Sequence, residues 1–351
     1  MNFASDNTAG IAPDILKALT GGNDGFVLGY GNDDLTRAVE RRMGEVFERD
    51  CAVFLVATGT AANALALAHV SPPWGAVFAH NEAHILTDEC GAPEFFGGGL
   101  KLVGMAGVGC KVTPETLAAS VADYQGHSPH QVVPAALSFA QASEAGTIYR
   151  AGEIAALAKL AHANGMKVHM DGARFANALV RMNASPAEAT WKSGVDVLSF
   201  GATKGGAMAA EAVVIFDRAL AANMAERRKR AGHLLSKHRF LSLQFDAFLK
   251  DDCWLRLARH ANAMADRLAA GLAAAGHAPV WPVEANLVFV LLPKSVEARL
   301  RASGARYYVR SSRSLPGGAA IGPDRCLIRL VTSFATRQDE IDRFVEVAAK
   351  A

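Results

Sequence analysis

The chain has 351 residues, of which 51% are hydrophobic and 20% charged, a mix that excludes a peptide-sized scaffold and a mainly disordered chain. That length leaves room for about two domains. With 36 basic and 34 acidic residues the formal net charge is +2, so no overall field draws the protein to a polyanion or an anionic membrane. Five cysteines, widely spaced and without a C-x-x-C pair, exclude a disulfide framework and a zinc knuckle, and no other metal site is expected. The opening MNFASDNTAG has neither a basic stretch nor an apolar run, and no segment reaches the roughly 18 apolar residues of a membrane span. These features predict a soluble, reduced, cytoplasmic protein.

Short apolar runs then alternate with longer helical segments. AVFLVA (52–57), GAVFA (75–79), VVPAALSF (132–139), KVHMD (167–171), DVLSF (196–200) and EAVVIF (211–216) read as strands. AANALALAHV, TPETLAASVADY with Thr113 as its cap, and GEIAALAKLAHANG with Gly165 as its stop read as helices. Continuous rather than alternating hydrophobicity predicts strands covered on both faces, hence an α/β fold with a mostly parallel sheet. Only GATKGGAMAA separates the last two strands, too short for a helical crossover, so the second should run antiparallel. Past residue 240 the pattern restarts. A helix over 254–276 has Leu257, Ala261, Met264, Leu268 and Leu272 on one face, followed by strand (287–292), helix (295–304), strand (326–334) and a last helix from Arg337. We expect an N-terminal arm and large domain over 1–240 and a smaller C-terminal α/β domain over 241–351.

Three segments carry chemistry. In SFGATKGG (199–206), Lys204 sits in a small-residue loop after a buried strand, where a desolvated amine can form a Schiff base and the glycines admit another group; an exposed turn lysine fits the same residues. In HMDGAR (169–174), Asp171 ends a buried strand at the edge where open α/β sheets bind ligands, although a helix cap paired with Arg174 fits as well. Together, an aspartate able to hold a pyridinium nitrogen and a lysine able to carry an aldehyde carbon point to a single cofactor. In ATGTAAN (57–63), Gly59 and Thr60 open a helix whose free N–H groups can receive a phosphate. The dinucleotide fingerprint is absent, since Gly104, Gly107 and Gly109 have the wrong spacing.

These motifs, with SDNTAG (5–10), GYGNDD (29–34) and NEAHILTDECG (81–91), run over most of the chain in family order. The sequence resembles the fold-type I pyridoxal-phosphate enzymes, and within them the β-eliminating lyases that include low-specificity L-threonine aldolases and phenylserine aldolases. The resemblance implies pyridoxal 5'-phosphate as cofactor, held covalently by Lys204, with Asp171 on its ring nitrogen, Arg174 near its ring hydroxyl, His84 over its ring face, and Gly59 and Thr60 at its phosphate. It implies that Arg329 grips the substrate carboxylate with help from Ser5. It places Tyr30 and Lys229 at a site shared between subunits of a homo-oligomer, dimer or tetramer. The implied reaction is retro-aldol cleavage of a small-molecule substrate, a β-hydroxy-α-amino acid, to glycine and an aldehyde. One departure concerns the base, because many threonine aldolases carry a histidine in the segment equivalent to SFAQASEAGT (138–147) and Ser143 is read as standing there. His84, or a water organised by neighbours such as Glu89, remains available. The rivals are another reaction of the same cofactor, β-elimination or transamination; a nucleic-acid-binding protein using the basic 226–239 stretch, against which the small net charge counts; and a nicotinamide-dependent oxidoreductase.

Overall fold

Apolar runs that cannot leave either face in water become the inner strands of a seven-stranded sheet. The structure is a computed structural model that describes residues 1–350. The strands are β1 (Ala52–Val56), β2 (Gly75–His80), β3 (Lys101–Met105), β4 (Val133–Ala140), β5 (Lys167–Gly172), β6 (Val197–Gly201) and β7 (Glu211–Ile215), in the order β1-β7-β6-β5-β4-β2-β3. Every residue of β2, β6 and β7 is buried. As the short connection requires, β7 runs antiparallel to β6, and it is antiparallel to β1 on its other side. The remaining pairs are parallel. β3 escaped the sequence reading. It lies at the sheet edge and only Met105 of its five residues is buried, so KLVGM shows no continuous apolar run.

Helix ends follow local side-chain chemistry. Thr58 Oγ1 accepts from Ala61 N at 3.1 Å to start the helix Gly59–Val70, and Thr113 accepts from Thr116 N at 3.3 Å to start Pro114–Ala122. Gly165, at φ +71°, follows the helix Ala151–Ala163, where a left-handed residue is best supplied by glycine.

A second, antiparallel sheet of three strands is built from β8 (Leu287–Pro293), β9 (Tyr308–Arg310) and β10 (Arg325–Val331), ordered β8-β10-β9. The three residues of β9 are partly or fully exposed, which is why no apolar run announced it. The helix Cys253–Ala274 buries Leu257, Ala261, Met264, Leu268 and Leu272, the face expected from their spacing. Its two halves belong to different cores. Trp254, Leu257 and Ala258 pack with the main core, whereas Met264, Ala265, Leu268 and Leu272 pack with Val288, Val290 and Ile328 beneath the second sheet. Among the described residues, no helix is long and apolar enough to cross a membrane.

Behind the lysine loop, Phe200 packs edge-on against Phe47, Phe175 and Trp254, with ring centroids 5.4–5.8 Å apart. This rigid aromatic wall backs β6 where its last residues enter the site.

Candidate active site

Parallel strands present their carboxyl ends on one edge, and that edge, closed by the N-terminal segment and by β9 and β10, encloses a cavity of about 340 Å³. Ser5, Gly59, Thr60, His84, Asp171, Arg174, Lys204 and Arg329, all singled out from the sequence, line this one cavity. Tyr30 and Lys229 do not. They meet each other outside it, with Lys229 Nζ 4.8 Å from the Tyr30 ring centre.

The loop that presents Lys204 is fixed by its own backbone. Ala202 N donates to Ala210 O, Ala207 N donates to Ala202 O, and Met208 N and Ala209 N both donate to Gln244 Oε1. Gly206 sits at φ +123°, and a Cβ there would come within 2.9 Å of Ala12 Cβ, so neither conformation nor space admits a larger residue.

Asp171 is the penultimate residue of β5, with Ala140 and Ser199 as its neighbours on β4 and β6. Its Oδ2 accepts from Asn63 Nδ2 at 2.8 Å and its Oδ1 from Ala173 N at 3.0 Å. Burial pushes the carboxyl up, but Lys204, His84 and these two donors together outweigh it and hold Asp171 below the ordinary carboxylate range. Asp171 is therefore an anion at neutral pH, suited to face a cationic ring nitrogen.

His84 Nδ1 lies 2.8 Å from Glu89 Oε1, and Glu89 also accepts from Asn63 Nδ2 at 2.8 Å. The hydrogen bond to Glu89 raises His84, while burial raises Glu89 against the opposing bonds from His84 and Asn63. At the helix Gly59–Val70, Thr58 uses its side chain and carbonyl on Ala61 N and Ala62 N, leaving the N–H groups of Gly59 and Thr60 without intrahelical partners. A Cβ added at Gly59 would meet nothing within 4 Å, so the space in front of these donors is open.

Arg174 donates Nε and Nη2 to Asp6 at 2.7 and 3.0 Å, and Asn286 Nδ2 donates to the same carboxylate at 3.0 Å. Arg329 has no such partner: its Nε is buried without one. Burial, with Arg174 and Arg310 nearby, pulls Arg329 down to about 10, which still leaves it charged at neutral pH. A half-buried guanidinium whose Nε lacks an acceptor is suited to receive a carboxylate. Changing Arg329 to lysine keeps the charge and removes the fork. KM for an amino-acid substrate is expected to rise about 10–100-fold with a smaller fall in kcat, as read from initial rates.

Ser143 is buried and turned away from the cavity, its Oγ donating to Gly109 O at 2.9 Å. The next residue, Glu144, lines the cavity, with Oε1 accepting from His84 N at 3.0 Å. A single-residue offset in a tight turn reverses which side chain faces the site.

The model of the β-eliminating lyase family matches residues 2–295. The chain belongs to the β-eliminating lyase family. Within that family it is 44% identical to the low specificity L-threonine aldolase of Pseudomonas aeruginosa over 311 residues, covering 87% of this chain and 88% of that one. It is 41% identical to the low specificity L-threonine aldolase of a Pseudomonas species, with the same coverage of each chain. A solved threonine aldolase of Leishmania major superposes with a TM-score of 0.92 at 31% identity, over 99% of this chain and 98% of that one. More distant fold-type I neighbours, such as a serine palmitoyltransferase of Sphingomonas wittichii at TM-score 0.71 and 14% identity, share the fold.

As a β-eliminating lyase the chain also uses residues that sequence reading passed over. Asn63 joins Asp171 to Glu89, and Asp6 with Asn286 anchors Arg174. Asp6 and Asn63 stand inside motifs that were visible, SDNTAG and ATGTAAN, but only the tertiary fold shows what each touches. Asn286 had no signal beyond its place just before a strand.

Proposed function

We propose that the protein is a pyridoxal 5'-phosphate-dependent carbon–carbon lyase, an aldolase that cleaves L-threonine, allo-threonine or phenylserine to glycine and the corresponding aldehyde. The observation that carries this reading is one cavity holding Lys204, the anionic Asp171 and a half-buried, unpaired Arg329. The names of the 41–44% identical relatives support the same reading.

The residues fit the cofactor. Lys204 would hold it covalently, Asp171 its ring nitrogen, the N–H groups of Gly59 and Thr60 its phosphate, Arg174 its ring hydroxyl, and His84 one ring face. Bound there, pyridoxal phosphate supplies a sink for the electron pair released when a bond to Cα breaks. The chain's own residues decide which bond that is. Arg329 and Ser5 hold the substrate carboxylate, and this fixes how the amino acid is rotated about its Cα–N bond. Asp171, ionised because Lys204, His84 and its two donors outweigh burial, would favour a protonated ring nitrogen.

The reading includes a homo-oligomer in which Tyr30 and Lys229 reach a neighbouring subunit's site, supported by the exposed apolar stretch Phe26, Val27 and Leu28 beside Tyr30. It includes a cytoplasmic location, in keeping with five unpaired cysteines, and a division near residue 240 between a cofactor-holding part and a part bearing Arg329. The test is incubation with L-threonine, L-allo-threonine and L-threo-phenylserine in parallel. Glycine and aldehyde in equal amounts are expected. Pyruvate with ammonia, or no aldehyde from any of the three, overturns the aldolase assignment.

A further inference from the structure

The cavity contains a carboxyl group that none of the roles above employs. Glu144 sits in the turn after β4. Ser143 N donates to Thr147 O and Gly146 N to Ser143 O, both at 2.9 Å. Ser143 Oγ and Thr147 Oγ1 both donate to Gly109 O, at 2.9 and 2.7 Å. Gly146, at φ +79°, would bring a Cβ to 3.0 Å from Leu287 Cβ, so the turn is also closed from the side of β8. The turn therefore holds residue 144 in place while its neighbours are tied into the protein.

The two buried carboxylates that line the cavity already hold donors, although Glu89 Oε2 has none, and Glu82 and Asp88 line it from more exposed positions. Asp171 takes hydrogen bonds from Asn63 and Ala173, and Glu89 takes them from Asn63 and His84. His84 is engaged through Nδ1 with Glu89. Glu144 receives His84 N on Oε1, and the residue remains partly open to the cavity.

We propose that Glu144 is the catalytic base that removes the proton of the substrate's β-hydroxyl group, an inference that rests on the aldolase reading. The O–H bond breaks, with its proton passing to the Glu144 carboxylate. The O–H electron pair becomes the second bond of the aldehyde C=O, and the Cα–Cβ pair remains on the carbon that becomes glycine. A proton is then taken up at Cα and one is lost from Glu144, so the cycle is neutral overall. Burial first, and then the negative charge of Asp171, push this carboxyl up to about 7, with the His84 N–H and charge opposing them; Cys110 and Tyr149 also face it. A base of that strength accepts a proton near neutral pH far better than an ordinary carboxylate.

The experiment compares holoenzymes of the wild type, Glu144→Gln and Glu144→Asp. Aldehyde release from L-threonine is measured across pH, together with exchange of the glycine α-proton in D2O, which has no β-hydroxyl to deprotonate. We expect Glu144→Gln to lose about 10²–10⁴-fold in cleavage and keep glycine exchange within a few-fold. The acidic fall in wild-type kcat/KM near pH 7 should vanish in Glu144→Gln and reappear, shifted, in Glu144→Asp. Cleavage by Glu144→Gln near the wild-type rate, or an equal loss of cleavage and exchange, overturns the proposal. A wild type that releases no aldehyde defeats the aldolase reading itself, and is distinguished because it appears before any variant is compared.

Discussion

Replacing Lys204 by alanine is expected to remove the visible absorbance of the purified holoenzyme and to lower aldehyde release by about 10⁴-fold or more, as happens when one member of a cooperating catalytic group is removed. The surrounding loop should survive, because its fixed points are backbone groups and Gln244, none of them the lysine side chain. Without cofactor, any loss of stability should come from the missing charge beside Asp171 and Asp6 rather than from the loop. Absorbance spectroscopy, kinetics and thermal melting of the apo forms check the three parts separately. Retention of full colour in Lys204→Ala would show that covalent attachment runs through another residue.

The largest loss of stability is expected from Asp6→Ala. Asp6 is buried, takes both ends of the Arg174 fork, and also accepts from Asn286, so its removal strands a largely buried guanidinium. Breaking a buried pair from one side costs about 3–5 kcal/mol. Chemical denaturation of the apoprotein should show it, along with weaker cofactor retention as Arg174 loses its orientation. The pH dependence has a definite sign. Burial raises Asp6, but Arg174, Lys204 and Asn286 outweigh it and hold the carboxyl below its ordinary value of 3.8. An acid whose folded value is depressed contributes stability above its unfolded value and loses it as pH falls through the folded one. The wild type should therefore lose stability steeply below about pH 4, and Asp6→Asn should flatten that slope.

The inner strands and the reversal at β7 were legible because each is dictated locally, by an apolar run covered on both faces or by a connection too short to cross over. Lys204, Asp171 and the Gly59 turn were legible for a similar reason: each chemical type coincides with a strand end. β3 and β9 were not, since an edge strand of mixed burial and a three-residue strand leave no apolar pattern. Glu144 was missed because one step along a turn decides whether a side chain faces the cavity or Gly109, and that depends on hydrogen bonds reaching across the fold. The partner of Arg174 comes from position 6 and is held in turn by Asn286, separations that no local pattern spans.

The helix Cys253–Ala274 is anchored by its first half in one core and by its second half in the other. A continuous helix without proline resists sharp bending, so it acts as a stiff strut between the sheet that bears Lys204 and the sheet that bears Arg329. Large hinge rotation between those two sheets would have to tear one end of the strut from its core. Any tightening around substrate is thereby restricted to sliding of packed side chains by an ångström or so. The distance from Lys204 to Arg329 is consequently built in before substrate arrives. Discrimination among β-hydroxy amino acids should then depend on the fit of the side chain beyond Cβ, with the amino-acid end gripped alike in all of them.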